Sequence, residues 1–193
     1  MAQELSNLPQ LRVGRVHEVC GPGSFVFSAV QISRQTQSCI WVREAWQSDQ
    51  PSPNGIAGYA DPSNLLIALG HTHADVLAVT EEALRFGAVG MVIAEASQPI
   101  TLKAGRRLQL AAEAGKSTGI IIISDGMGSN AAETRWRCSP VFDPSDSTLM
   151  RWEIIKNKSG TLGNWIVRWD DKARRVHVVS GPSQRKGLAQ PSG

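Results

Sequence analysis

Three short runs in this chain carry no polar alternation: residues 39–42 (Cys-Ile-Trp-Val), 88–94 (Ala-Val-Gly-Met-Val-Ile-Ala) and 119–123 (Gly-Ile-Ile-Ile-Ile). A strand apolar on both sides must be covered on both sides, which is the situation of a parallel sheet between helical layers. The segments between the runs have a helical period. Residues 24–35 place Phe25, Val26, Ala29, Val30 and Ile32 inward, and residues 74–86 place Val76, Val79 and Ala83 on one stripe before Gly87, where a left-handed cap favours glycine. Thr101 is placed to cap a further helix with Leu108, Ala111 and Ala112 inward and Gly115 at its end. Residues 13–20 and 64–69 read as further strands, and 47–61 has the Ser, Pro, Gly, Asn and Asp content of a loop. The fold class is therefore α/β, a mainly parallel sheet flanked by helices.

Beyond Ser124 the pattern changes. Residues 134–138, 149–155, 164–169 and 176–179 are strand candidates with no helical period between them, and Trp165, Val167 and Trp169 alternate with Ile166 and Arg168. These predict an antiparallel C-terminal extension of the parallel core. One domain over residues 1–180 is expected, followed by a polar, basic tail at 181–193 whose Gly, Pro, Ser and Gln content predicts disorder when alone.

The longest purely apolar run, residues 120–123, is far too short to span a bilayer, and the first residues lack a basic and apolar leader, so a cytoplasmic protein without membrane association is expected. Cys20, Cys39 and Cys138 form no C-x-x-C pair and suggest neither a disulfide framework nor a zinc site. His71 and His73 lack a third ligand at useful spacing. The net charge of +3 hides an asymmetry: residues 151–193 hold nine Lys or Arg against three acidic residues, which leaves residues 1–150 at −3. A basic end on an acidic body attracts nucleic acid or an acidic protein surface if its charges converge, and is a solvated face if they do not.

Residues 21–28 (Gly-Pro-Gly-Ser-Phe-Val-Phe-Ser) follow the first strand where a phosphate-binding loop, G-x-x-x-x-G-K-[ST], would stand. Gly21, Pro22, Gly23 and Ser24 keep the turn character, but Val26 stands at the second glycine and Phe27 at the lysine; of the defining residues Gly21 and Ser28 remain. A benzyl group cannot neutralise a triphosphate, and a valine Cβ blocks close backbone approach. No cofactor and no enzymatic activity are expected.

The order of these segments resembles the RecA recombinase core over about residues 12–170. Residues 14–19 with Gly21-Pro22 are similar to its first strand and loop start, residues 63–66 and 82–89 to the strands and helix leading to the Walker B strand, and residues 154–158 (Ile-Ile-Lys-Asn-Lys) to its V-V-K-N-K run. The resemblance puts Glu95 at the Walker B aspartate, and Arg43 and Ala45 where acidic groups including the catalytic glutamate would stand. It leaves no room for the first DNA-binding loop and only a shortened second one at 125–130. By the same resemblance Lys156 and Lys158 would reach a neighbouring subunit; as plain edge-strand lysines they would only discourage edge pairing.

A fuller resemblance is to the ImuA group of RecA-like proteins from bacterial damage-inducible mutagenesis cassettes, carried by residues 106–115, 131–137, 163–165 and 169–171. It implies an SOS-response accessory of error-prone translesion synthesis that works with the polymerase-like ImuB, with DnaE2 and RecA as further contacts, and with homo-oligomers and weak DNA binding as open expectations. Candidate contact residues are Lys103, Arg106 and Arg107 on one helix, Lys156 and Lys158, Arg174 and Arg175, and Trp46 beside the polar loop. The runner-up is a SulA-like division inhibitor binding FtsZ, which also resembles a RecA core without its nucleotide site.

Overall fold

The computed structural model describes residues 8–180. One nine-stranded sheet runs through them in the order β3-β2-β4-β5-β1-β6-β7-β8-β9. Its first six members, β3 (Leu65–Gly70), β2 (Cys39–Glu44), β4 (Met91–Glu95), β5 (Thr118–Ile122), β1 (Val16–Cys20) and β6 (Thr134–Pro140), pair in parallel. The last three, β7 (Leu149–Asn157), β8 (Gly163–Asp170) and β9 (Arg175–Ser180), continue it antiparallel. The parallel core thus reaches one strand further than the change of pattern after Ser124 suggested, because β6 returns beside β1 before the meander starts.

Two apolar layers share this sheet. On one face α1 (Ser24–Ile32) covers a cluster that includes Phe27, Trp41, Trp136, Trp152, Trp165 and Trp169. On the other, α3 (His73–Phe86) and α4 (Leu102–Gly115) cover Val42, Val92, Ala94 and Ile121. Five of six tryptophans are buried; each removes a large apolar area from water, which is how a chain with few aromatics fills a wide sheet. Cys20, Cys39 and Cys138 are buried free thiols, and burial pushes Cys20 and Cys39 up to about 11.

Helix starts follow the sequence. Thr101 accepts from the Ala104 amide, and Thr72 forms a reciprocal capping box with Asp75. Gly87 closes α3 at φ +68°, but the left-handed residue after α4 is Lys116, and not Gly115. Gly115 serves a different need: a Cβ there would collide with the Leu84 carbonyl, so the bare backbone lets α4 end against α3.

Several inward assignments need correction. Phe25 is 41% exposed, and α1 instead buries Phe27 with Ser28, Ala29, Val30, Gln31 and Ile32. The buried stripe of α3 is Val76, Thr80, Glu81 and Leu84, with Val79 and Ala83 half-buried. The loop at 47–61 contains a short helix, α2 (Pro53–Ala57), started by a proline at its first position. β3 is apolar yet open: Leu66, Ile67 and Leu69 are exposed at the sheet edge. Among the described residues no helix is long and apolar enough to cross a membrane. The tail at 181–193 lies outside the described residues.

Candidate functional site

The carboxyl ends of the parallel strands are where open α/β sheets bind ligands, and the turn after β1 is where a phosphate would be held. Here that turn is shut. Gly21 has φ +88°, and a Cβ on it would sit 2.5 Å from the Cys138 oxygen; the Gly23 amide donates to the same oxygen at 2.9 Å. The Ser24 amide donates to Gly21 O at 3.1 Å, and α1 starts at once with Ser24. A phosphate cradle needs several backbone N–H groups free and converging; two of the candidates are spent on β6 and on the turn itself.

Because the helix begins so early, Val26, Phe27 and Ser28 lie within it. Phe27 therefore does not plug a pocket. It points into the core, 1% exposed, with its ring centroid 5.3 Å from that of Trp136 and 4.8 Å from that of Trp152. Ser28 is fully buried and donates its hydroxyl to Ser24 O at 2.9 Å, so it is not presented to a metal. Val26 is half-buried and Pro22 exposed. The turn is closed by its own backbone hydrogen bonds, and the Phe27 ring takes no part in closing it.

The neighbouring strand ends are also occupied. Glu95, at the end of β4, accepts a 2.6 Å hydrogen bond from the Trp41 indole and lies 3.8 Å from Arg43 Nε. Burial raises its carboxyl above the usual range, while Trp41 and Arg43 pull it back. Arg43 is 1% exposed and donates through one terminal nitrogen to Gln47, leaving Nε and the other terminal nitrogen without hydrogen-bond partners; one oxygen of the buried Glu44 is likewise unpaired. Where magnesium and a catalytic base would act, a cation and carboxylates are packed together instead. Among the described residues no group of three His, Cys, Asp or Glu could hold a metal, and His71 and His73 stand at the start of α3 apart from further ligands.

Lys156 and Lys158 do share one region, but they turn inward on their own chain. Lys156 donates to Asn130 O at 3.3 Å and to Ala132 O, and Lys158 to Ala131 O at 2.6 Å. Burial and the adjacent Lys158 and Arg135 charges lower the Lys156 ammonium. The loop they hold, residues 123–133, is tied from below as well. Buried Glu18 accepts from the Ser129 amide at 2.7 Å and from Arg135 Nε at 2.7 Å, and Arg135 donates to Ser129 O. Sequence reasoning missed Glu18 and Arg135; a lone acidic residue inside a strand otherwise destined for burial is the signal that could have found them.

The remaining cations fall into two separate groups, one on α4 and one in the turn leading into β9. Arg107 pairs with Glu81 at 2.7 Å, whereas Lys103 and Arg106 are exposed on α4 with no ion pair among the described residues. Arg174, in a left-handed turn at φ 48°, donates to Ala57 O, and Arg175 to His177. Trp46 is 68% exposed beyond β2.

The strand order, the helical layers and the modified site together define a RecA-like recombinase fold. The chain superposes on the crystal structure of the RadB recombinase with a TM-score of 0.65, covering 88% of this chain and 93% of that one at 11% sequence identity, a likeness of fold alone. In sequence it is 29% identical over 205 residues to Protein ImuA of Caulobacter vibrioides, in strain NA1000 / CB15N and in strain ATCC 19089 / CIP 103742 / CB 15 alike, spanning 90% of this chain and 82% of the relative. No protein-family model matches the chain.

Proposed function

We propose that this chain is a non-catalytic RecA-like accessory of damage-induced mutagenesis that acts in the cytoplasm by contact with an ImuB-like polymerase-fold protein, with DnaE2 and RecA as further members of the assembly. The observation that carries the reading is the closed turn at Gly21–Gly23, which removes the phosphate cradle while the surrounding fold is kept. The similarity to ImuA supplies the biological setting. A chain that cannot grip a triphosphate contributes surface, and surface is what an assembly factor uses.

Calorimetry of the full chain with an ImuB-like protein from the same source tests this directly. Association at micromolar concentration or tighter, unchanged by magnesium-ATP, is the expected result. The absence of association, or nucleotide turnover by the isolated chain, would remove the reading.

A further inference from the structure

The outer surface of α4 and the tied loop 123–133 enclose a groove of about 500 Å³. Leu102 and Leu110, 46% and 66% exposed, supply its apolar floor, and Ala131 belongs to its wall. Two turns of helix separate the leucines, about 12 Å. The loop lies close because Gly105 has no side chain: a Cβ there would be 2.8 Å from both Ala131 Cβ and Ser129 Oγ. Lys158 and Lys156 fasten the loop carbonyls, so the groove is formed before anything enters it, and a preformed surface loses little freedom on binding.

Charge indicates what fits. Arg106 lies between the two leucines on the same face with no ion pair among the described residues. Lys158 uses one hydrogen bond on Ala131 O and has further donors. Lys103 stands on the same helix one turn back, and no carboxylate lines the groove. Nucleic acid is a poorer match, since no aromatic ring lines it to stack a base. We propose that this groove receives an acidic amphipathic helical segment of a partner protein, its apolar residues on Leu102 and Leu110 and its carboxylates on Arg106 and Lys158. This assignment rests on the accessory role above and names the surface that serves it.

Two experiments separate the two ideas. First, the full chain is titrated with a labelled synthetic helical peptide carrying leucines two turns apart flanked by glutamates, and with its lysine counterpart. The acidic peptide is expected to bind at least about tenfold more tightly, and Leu110→Asp and Arg106→Glu each to weaken it about tenfold, while Phe142→Asp, at a 93% exposed site elsewhere, leaves it unchanged. Equal binding of the two peptides, no binding of either, displacement by a single-stranded oligonucleotide, or indifference to both groove substitutions would each overturn the assignment. Second, the polymerase-fold partner is titrated against the same variants. Loss of its binding in Leu110→Asp supports the groove as its seat; full binding in both groove variants overturns that while the accessory role stands. Peptide binding without any partner binding would remove the accessory role and retain the groove.

Discussion

Phe27 occupies a different place in the structure from the one its position in the sequence suggests. From sequence it stands at the phosphate lysine and excludes nucleotide by bulk; in the structure it packs against Trp136 and Trp152 and never faces the loop. The two accounts make opposite forecasts for Phe27→Lys. If the ring were a plug, lysine would restore part of the site. With the side chain aimed into the core, an ammonium would be buried among indoles, and the protein should lose about 3 kcal/mol or more, as core truncation and unpaired burial do. We expect a lower urea midpoint and no magnesium-ATP heat; nucleotide binding by this variant would contradict the closed-turn description. Lys156 and Lys158 teach the same caution, since spacing brought them together but could not say that their ammonium groups would be consumed by carbonyls at 130–132.

Elements were more legible than the faces of elements. The apolar runs 39–42, 88–94 and 119–123 became β2, β4 and β5, and Thr101 and Gly87 mark helix boundaries, because capping and burial act locally and leave local traces. Lateral position in a sheet is set by crossover connections that no window of residues encodes. Leu65 to Leu69 therefore reads like a central strand, yet it forms the edge, with Leu66, Ile67 and Leu69 in solvent. Phe25 sits at the margin of the same face, its ring centroid 5.4 Å from that of Trp41 of β2 yet 41% exposed, while Phe27 two residues on takes the fully buried place against Trp136 and Trp152. An open apolar edge invites pairing with other chains. Leu66→Lys should change stability by less than about 1 kcal/mol and reduce self-association in concentrated solution, read by light scattering beside a urea titration; a large loss of stability would mean that this edge is covered.

At the scale of the whole molecule, β1 is the seam, pairing with β5 on the helix-covered side and with β6 toward the antiparallel half. His17 sits on it, 1% exposed, with Nδ1 2.7 Å from Thr134 Oγ1 and Nε2 3.2 Å from Arg12 O. A carbonyl can only accept, so Nε2 carries the proton; Nδ1 then accepts from the Thr134 hydroxyl, which itself accepts from the Trp136 indole at 2.9 Å. Burial disfavours the charged imidazolium and lowers the His17 pKa from 6.5 to about 4, so the neutral ring with this set of bonds prevails at neutral pH. A folded-state value below the unfolded one means that this contribution is fully present above pH 6.5 and is lost as pH falls toward 4. The loss amounts to roughly 3 kcal/mol. Urea midpoints should fall across that interval and flatten in His17→Gln; an unchanged slope would show that the seam is not held by this residue.

The contact of Gly21 and Gly23 with Cys138 reaches beyond the missing cradle. Anyone wishing to reinstall a nucleotide pocket by lengthening that turn would push β6 aside, and with it the tryptophan wall behind α1. Such a redesign is a reconstruction of three elements together, and no point substitution offers a shortcut.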